Sequence, residues 1–305
     1  MAFPVNGVPS HSGTNIPVIF SGKLLVKFYG ASILTHISNT DYEGEIKDKG
    51  DTVKIRLTPD ITINDYEKGT PLVYENPNSA TVDLLIDQGK YYGVNIFDVD
   101  KAQSDYEFMD KWAEDASEQM KIVIDTDVLS AIPADAHASN IGATAGAQCG
   151  NINLGTAGAP VELTKANVLD KIVECGQILS EQKAPATGRW MGIPPWMKTR
   201  ALLSDLKDAS LTGDGQSSLR SGRLGVIGDF TLYESLNIKH VVDGTDNCAS
   251  IPFGHKSGLT FASQLVKNET LKNPTDFGDI LRGLQVYGFE VIKPEVMGVL
   301  YATGK

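Results

Sequence analysis

The chain has 305 residues, of which 41% are hydrophobic and 21% are charged, a composition typical of a folded protein with one large domain or two modest ones. Its 38 acidic and 27 basic side chains give a net charge of −11, which disfavours a sequence-independent nucleic-acid binder because such proteins need a basic surface. The start of the chain has neither the charged nor the apolar part of a secretion signal, and no apolar run is long enough to span a bilayer. We therefore expect synthesis in the cytoplasm and no membrane partner.

The first 37 residues contain no acidic side chain and are rich in Pro, Gly and Ser. Such a segment cannot bury enough apolar surface to fold alone, so an extended N-terminal arm is predicted for residues 1–37. Apolar residues near Leu24 and Phe28 indicate that the arm docks on its own body or on a neighbouring molecule.

Residues 38–92 show the alternation of a two-stranded excursion. TVKIRL, residues 52–57, places Val53 and Ile55 on one side, and TVDLLI, residues 81–86, forms the returning leg. We expect legs of about 12 residues that reach roughly 40 Å, with a loose tip between them. A lone hairpin of this length is marginally stable and its open edges invite pairing, so it is predicted to lie on another surface.

One long helix is predicted for residues 98–132, because no Gly or Pro falls between Val94 and Ile132. Asp100 is expected to cap its start, and Pro133 to end it at Ile132. At 1.5 Å per residue the helix would extend roughly 48 Å, which favours an elongated, flattened subunit; an ordinary core flanked by a long helix is the alternative. A single apolar stripe is predicted from Ala102, Tyr106, Met109, Ala113, Ala116, Met120 and Val123.

The remaining chain is predicted to alternate between loops, helices and strands. A Gly- and Ala-rich loop covers residues 140–163, a helix begins at Thr164, and a buried strand ends at Pro194, where Pro195 opens a short helix. Two strand-like runs, residues 258–266 and 284–302, close the chain.

The sequence contains little that indicates chemistry. Three widely spaced cysteines favour neither a disulfide framework nor a zinc site, and no phosphate-binding loop or metal-binding histidine pair is present. We therefore predict no catalytic, cofactor-binding or metal-binding residues. The alternative is a hydrolase that uses Ser257, His255 and an unidentified acid, although this serine stands one place too late for a nucleophile elbow.

Several stretches together resemble the major capsid proteins of tailed bacteriophages with the Hong Kong ninety-seven-type fold, and in particular the coat proteins of short-tailed phages. The resemblance is carried by TDYEGEIKDKGDTVKIR (40–56), RWMGIPPWMKTRALLSD (189–205), LRSGRLGVIGDFTLYESLNI (219–238), FGHKSGLTFASQLVKNETLKNP (253–274) and FGDILRGLQVYGFEVIKPEVMGVLYA (277–302). The order of these stretches, with a strand excursion just before a long helix, matches the family over nearly the whole chain.

The resemblance implies an α+β fold with five parts. They are an N-terminal arm (1–37), an extended β-hairpin loop (38–92), a peripheral domain with its spine helix (93–132), an axial domain (133–250), and C-terminal strands that return to the peripheral domain (251–305).

The function implied is that of a major capsid protein, without enzymatic activity, that self-assembles into pentamers and hexamers and forms the icosahedral shell of a virion. Its partners would be its own copies, scaffolding, portal and decoration proteins, and double-stranded DNA enclosed without sequence-specific binding. The candidate subunit-interface residues are Arg56, Asp65, Glu67 and Lys68 in the extended loop, and Lys23 and Lys27 in the arm. Besides the hydrolase, a subunit of an open tube or fibre is the remaining alternative.

Overall fold

The computed structural model describes residues 32–42, 52–59, 61–99, 108–204 and 225–304. Lys23, Lys27 and the predicted helix cap Asp100 lie outside these residues. The helices are α1 (Leu34–Ile37), α2 (Phe108–Asp135), α3 (Val168–Glu181) and α4 (Pro195–Leu202). The strands are β1 (Thr52–Arg56), β2 (Thr81–Leu85), β3 (Gln88–Phe97), β4 (Val161–Glu162), β5 (Arg189–Ile193), β6 (Val226–Ile227), β7 (Phe230–Glu234), β8 (His240–Asp243), β9 (Asp246–His255), β10 (Leu259–Lys272), β11 (Gly278–Val291) and β12 (Met297–Thr303).

The strands form three sheets. The largest runs β4-β12-β9-β5-β7-β6, with β8 added to β9, and it mixes parallel and antiparallel pairs. A second, wholly antiparallel sheet runs β10-β11-β3, and β1 with β2 forms a separate antiparallel hairpin. The chain is thus an α+β protein in which long strands and one long helix dominate.

The main core lies where α3 and the C-terminal half of α2 cover the large sheet. Strand β5 is buried along its whole length, as predicted for RWMGI, and Cys175 on α3 is a fully buried core thiol. Pro195 is the first residue of α4, where its missing N–H is not needed. The amphipathic helix α3 supplies Val168, Ile172, Cys175, Ile178 and Leu179 to this core.

A completely buried arginine belongs to this core. Arg189 is 2% exposed at the start of β5, and its guanidinium donates to a carboxylate oxygen of Asp229 at 3.1 Å. Its other donors bond to the carbonyl oxygens of Gly176, Ala184 and Pro185 and to the hydroxyl of Ser180. Burial lowers the pKa of Arg189 and the charge of Asp229 opposes this shift. The guanidinium therefore satisfies backbone acceptors at the end of α3 and fixes that helix to the sheet.

Helix α2 corrects the predicted end of the spine helix. It continues through Pro133 to Asp135, and its last turn is closed by the N–H of Ala136, which donates to the carbonyl of Ile132 at 3.1 Å. Pro133 lies in the last turn of the helix, where its missing N–H removes only one backbone hydrogen bond. The helix can therefore continue past it. The described 28 residues extend about 42 Å. In the described part of the chain, no helix is long and apolar enough to cross a membrane.

The predicted apolar stripe of this helix is also corrected. Val123 is 44% exposed, whereas Ile124, Val128, Leu129 and Ile132 are buried in the main core. The stripe was predicted to continue through Val123. In the C-terminal half of α2, the face that packs against the body instead runs through Ile124, Val128 and Ile132. The reason is that α2 contacts both the large sheet and β3 with β11, so more than one side of the helix is covered.

The C-terminal strands need a further correction. The run predicted for residues 284–302 is divided at a short helical turn, Pro294–Val296, into β11 and β12. Strands β10 and β11 pair with β3, but β12 pairs with β9 and β4 in the large sheet. The predicted boundary between residues 250 and 251 also falls inside β9, where continuous pairing leaves no break.

Candidate subunit interface

The predicted extended loop is a short hairpin with a long exposed tip. Strands β1 and β2 have five residues each, so the predicted 12-residue legs are too long. The ladder ends where the N–H of Leu57 donates to the carbonyl of Ala80 at 2.8 Å. Beyond it, in the described residues 61–78, the N–H of Thr70 bonds to the carbonyl of Glu67 as the one backbone-to-backbone hydrogen bond. The tip backbone is therefore largely available for other partners.

The base of the hairpin is fixed to the body by a small second core. The predicted alternation is confirmed, since Ile55 and Leu84 are buried while Lys54 and Arg56 face outward. Ile55, Leu84 and Ile86 pack with Ala262 of β10 and Ile292. This packing sets the direction in which the hairpin leaves the body.

A glycine allows the close approach of the hairpin to β11. A Cβ atom at Gly288 would lie 2.0 Å from the carbonyl oxygen of Leu85, so no side chain fits there. The contact joins β2 directly to the backbone of the three-stranded sheet.

The tip exposes large apolar side chains. Their exposed fractions are 63% for Ile61, 90% for Ile63, 75% for Tyr66, 59% for Leu72, 78% for Val73 and 86% for Tyr74. Monomeric proteins rarely leave so many apolar groups together in water, and such a surface usually marks an interface. The residues predicted for the interface in this segment were charged, and its apolar residues were missed, although ITINDYEKGTPLVYEN contains six large apolar side chains in a stretch that was predicted to be a loose tip.

The structure places the charged candidates on the same excursion. Arg56 ends β1, and Asp65, Glu67 and Lys68 lie on the tip; all four side chains are exposed. Glu67 and Lys68 belong to the turn at Gly69, which has a φ of 96°. Their contacts with a neighbour stay a prediction.

The outer face of the three-stranded sheet is ordered by cross-strand ion pairs. Glu269 accepts hydrogen bonds from Lys267 and from its registered partner Arg282, and these bonds lower the pKa of Glu269. Lys272 pairs with Asp279 across the same strands at 2.8 Å, which raises the pKa of Lys272. The two cross-strand pairs, Arg282 with Glu269 and Lys272 with Asp279, join directly opposite residues and so favour the observed register of β10 and β11.

A groove of about 570 Å³ separates β3 from α2. Tyr91, Val94, Trp112, Met120 and Val123 are among the residues that line it. Tyr91 is 83% exposed, so this unit carries apolar surface in addition to the hairpin tip.

The hydrolase alternative finds no support in the geometry. Nδ1 of His255 lies 2.8 Å from Oγ of Ser257, but Nε2 lies 2.9 Å from the backbone carbonyl of Thr187. In the described part of the chain, no carboxylate orients the imidazole, as catalysis by such a pair would require. The contact is a local bond in the turn between β9 and β10.

Comparison with solved structures identifies the fold. The chain aligns with a structure of Mycobacterium phage Che8 at a TM-score of 0.77 and 24% identity, covering 93% of this chain and 96% of that one. It aligns with the capsid structure of the cyanophage P-SCSP1u at a TM-score of 0.72 and 15% identity, covering 95% and 94%. It aligns with the capsid of Ralstonia phage GP4 at a TM-score of 0.63 and 13% identity, and the alignment covers 99% of each chain.

The chain has the Hong Kong ninety-seven-type capsid fold. The fold class predicted from the sequence is thereby confirmed. No family model and no curated protein sequence matches the chain. The capsid fold is therefore recognised through the three-dimensional arrangement of its strands and long helix, while the special kinship to short-tailed phages stays a prediction.

Proposed function

We propose that this chain is the major capsid protein of a bacteriophage, whose copies assemble through pentamers and hexamers into an icosahedral shell. The observation that carries the proposal is the exposed apolar tip at the end of a hairpin whose base is fixed to the body. The capsid fold supports it, because the alignments extend over more than 90% of this chain and of the phage chains compared, two of which come from capsid structures.

In this mechanism the tip of one copy adds to the surface of its neighbour. Its unpaired backbone is suited to strand addition, and its apolar side chains lose water when they are covered. Arg56, Asp65, Glu67 and Lys68 supply charge pairs that set the orientation of the two copies. The contact is between different patches on the two copies, which allows rings and closed shells to form.

The remaining parts of the chain take roles in the same assembly. Residues 1–37 form an arm that docks on a subunit, with Lys23 and Lys27 at the contact, and residues 38–92 form the extended loop. Residues 93–132 belong to the peripheral domain. The axial domain begins at residue 133 and, with the boundary corrected, includes β9 and β12 beside β5 and β7.

The proposed partners follow from this role. Double-stranded DNA is enclosed without sequence-specific binding, in agreement with a net charge of −11, which gives the shell little affinity for phosphate. Scaffolding, portal and decoration proteins are further partners, the chain itself has no enzymatic activity, and it is made in the cytoplasm of the host.

The test compares the full chain with a variant that lacks only the tip. Residues 59–78 are replaced by Asn-Gly, which closes a two-residue hairpin and keeps β1, β2 and the bond between Leu57 and Ala80. A deletion of the whole loop is unsuitable, because it removes the buried side chains of Ile55 and Leu84. Both proteins are expressed with the neighbouring genes of their source and studied by electron microscopy and sedimentation.

The full chain is expected to form closed shells, and the variant to remain a folded subunit with an unchanged melting temperature. Normal shells from the variant would contradict the role of the tip. Open tubes from the full chain would contradict the closed shell and favour the tube subunit instead.

A further inference from the structure

A carboxylate on α2 joins three separate segments of the chain. Asp125 is completely buried, and its Oδ1 accepts hydrogen bonds from Oγ of Ser32 at 3.1 Å and from the N–H groups of Ile33 at 3.2 Å and Leu34 at 3.0 Å. Its Oδ2 accepts a hydrogen bond from Nδ2 of Asn237 at 2.7 Å. One oxygen therefore holds the start of α1, and the other holds the segment between β7 and β8.

Burial makes the charge of Asp125 costly in the docked state. Burial raises the pKa of Asp125, and the hydrogen bonds from Asn237, Ser32, Ile33 and Leu34 oppose that shift only in part. Desolvation therefore offsets part of what the charge contributes to these hydrogen bonds. The favourable contribution comes from the acceptor geometry, which satisfies donors that would otherwise be buried without partners.

The docked segment makes few other polar bonds to the rest of the protein. Beyond Asp125, the N–H of Asn39 donates to the carbonyl of Leu259, and the N–H of Phe261 donates to the carbonyl of Asn39. Ile33, Leu34 and Ile37 insert their side chains into the main core. The described residues 32–39 therefore form a short strap that a single acceptor orients on α2.

We propose that Asp125 is a hydrogen-bond latch that docks residues 32–39 on the body and couples this docking to the position of residues 235–238. Losing the acceptor weakens the docking of residues 32–39, which their core side chains and the bonds of Asn39 still hold, while both large sheets stay intact.

The chain provides a matched control two residues away. Asp127 lies on the opposite side of α2, where its Oδ2 is 2.7 Å from Nζ of Lys90 and accepts a hydrogen bond from the hydroxyl of Tyr287 at 3.1 Å. Asp127 therefore joins the same helix to β3 and β11 rather than to residues 32–39.

Hydrogen exchange measured by mass spectrometry on the full chain tests the latch. In Asp125→Ala, peptides covering residues 32–39 and 235–238 are expected to exchange at least about tenfold faster, because all four hydrogen bonds to the carboxylate are lost. In Asp127→Ala, exchange is expected to rise around Lys90 and to stay unchanged in residues 32–39.

Asp125→Asn distinguishes the effect of the hydrogen-bond acceptor at position 125 from the effect of its charge. Asn at position 125 keeps one oxygen for Ile33 and Leu34, and its amide donates to the side-chain oxygen of Asn237 once that side chain is flipped. Asp125→Asn is therefore expected to retain protection within about threefold of the wild type. Loss of protection as large as in Asp125→Ala would overturn the proposal that geometry, rather than charge, holds the latch.

A double variant keeps the test decisive if Asp125→Ala does not fold. Ser32→Ala with Asn237→Ala removes two of the four donors without changing the helix, and an increase in exchange of roughly threefold to tenfold is expected for residues 32–39. Unchanged exchange there, or an equal increase in Asp127→Ala, would show that no such latch exists.

Discussion

The ring of Tyr92 lies across Gly283, its registered partner in the neighbouring strand β11. A Cβ atom at Gly283 would lie 2.3 Å from Cε1 of Tyr92, and the Tyr92 hydroxyl donates a hydrogen bond to Oδ1 of Asn268 at 3.2 Å on the far side. The absence of a side chain at Gly283 lets one aromatic ring bridge all three strands of the sheet.

Gly283→Ala is expected to destabilise the subunit by about 1–3 kcal/mol, because the Tyr92 ring must move and its hydrogen bond is strained. Gly93→Ala is the control, since Gly93 lies opposite Arg282 on the same sheet and a Cβ atom there meets open space. It is expected to change stability by less than about 0.5 kcal/mol. Urea unfolding measures both, and equal effects would show that the close contact is unimportant.

Arg189 provides a second prediction about stability. Arg189→Lys is expected to destabilise the protein by about 3–5 kcal/mol, because an ammonium cannot reach all the acceptors that the guanidinium satisfies. Asp229→Asn is expected to cost less than about 1 kcal/mol, because the Asp229 side chain is 49% exposed and its pairing is screened by solvent. Thermal unfolding compares them, and a larger effect of Asp229→Asn would mean that the ion pair dominates.

The sequence predicted features that depend on local patterns and missed those that depend on distant partners. The alternation through Val53 and Ile55, the buried strand β5 and the proline start of α4 were all predictable from period and composition. The burial of Arg189 was not, because its partners are backbone carbonyls that only the end of α3 brings together. A sequence pattern identifies which side chains are apolar, but not which backbone groups need a donor.

The location of the interface was predicted from the sequence, but its apolar residues were not. The unusual hairpin was predicted, but the charged Asp65, Glu67 and Lys68 were the predicted contacts. The apolar Ile63 and Tyr74, which are 90% and 86% exposed, were not predicted. Exposure cannot be derived from an alternating pattern, because the same pattern describes a half-buried strand. Likewise Asp125 and Asp127 look equivalent in IDTDVL, and only their positions on opposite sides of α2 give them different partners.

Glu181 gives a prediction about pH. Its carboxylate accepts hydrogen bonds from the N–H of Gln148, from the side chain of Gln177 and from the N–H of Cys149, which lower the pKa of Glu181 to about 2. Because the folded-state pKa lies below the ordinary value of 4.5, its stabilising contribution is present above about pH 4.5 and is lost as the pH falls toward 2. The stability difference between wild type and Glu181→Gln should therefore shrink in acid.

The rate of thiol labelling of Cys149 at neutral pH measures the contact between Glu181 and the loop that carries Cys149. Glu181→Gln is expected to increase the labelling rate of Cys149 several-fold, because the loop before Asn151 loses its charged acceptor. Cys175 and Cys248 are buried and serve as internal controls. Glu174→Gln, on the same helix but paired with Lys171, should leave the labelling of Cys149 unchanged, and an equal increase there would assign the effect to α3 as a whole.

The exposed tip gives the last prediction. Ile63 and Tyr74 are 90% and 86% exposed in the subunit, so replacing both with Ser should shift its melting temperature by no more than about 1 °C. If the tip is covered by a neighbour, the same variant loses about 1.5–3 kcal/mol per side chain at every copy of the contact and should fail to form shells. Leu84→Ala, at the buried base of the hairpin, should instead destabilise the subunit itself by about 2–5 kcal/mol. Sedimentation and thermal unfolding of the three proteins separate the two effects, and a tip variant that assembles normally would show that these side chains remain in water in the shell.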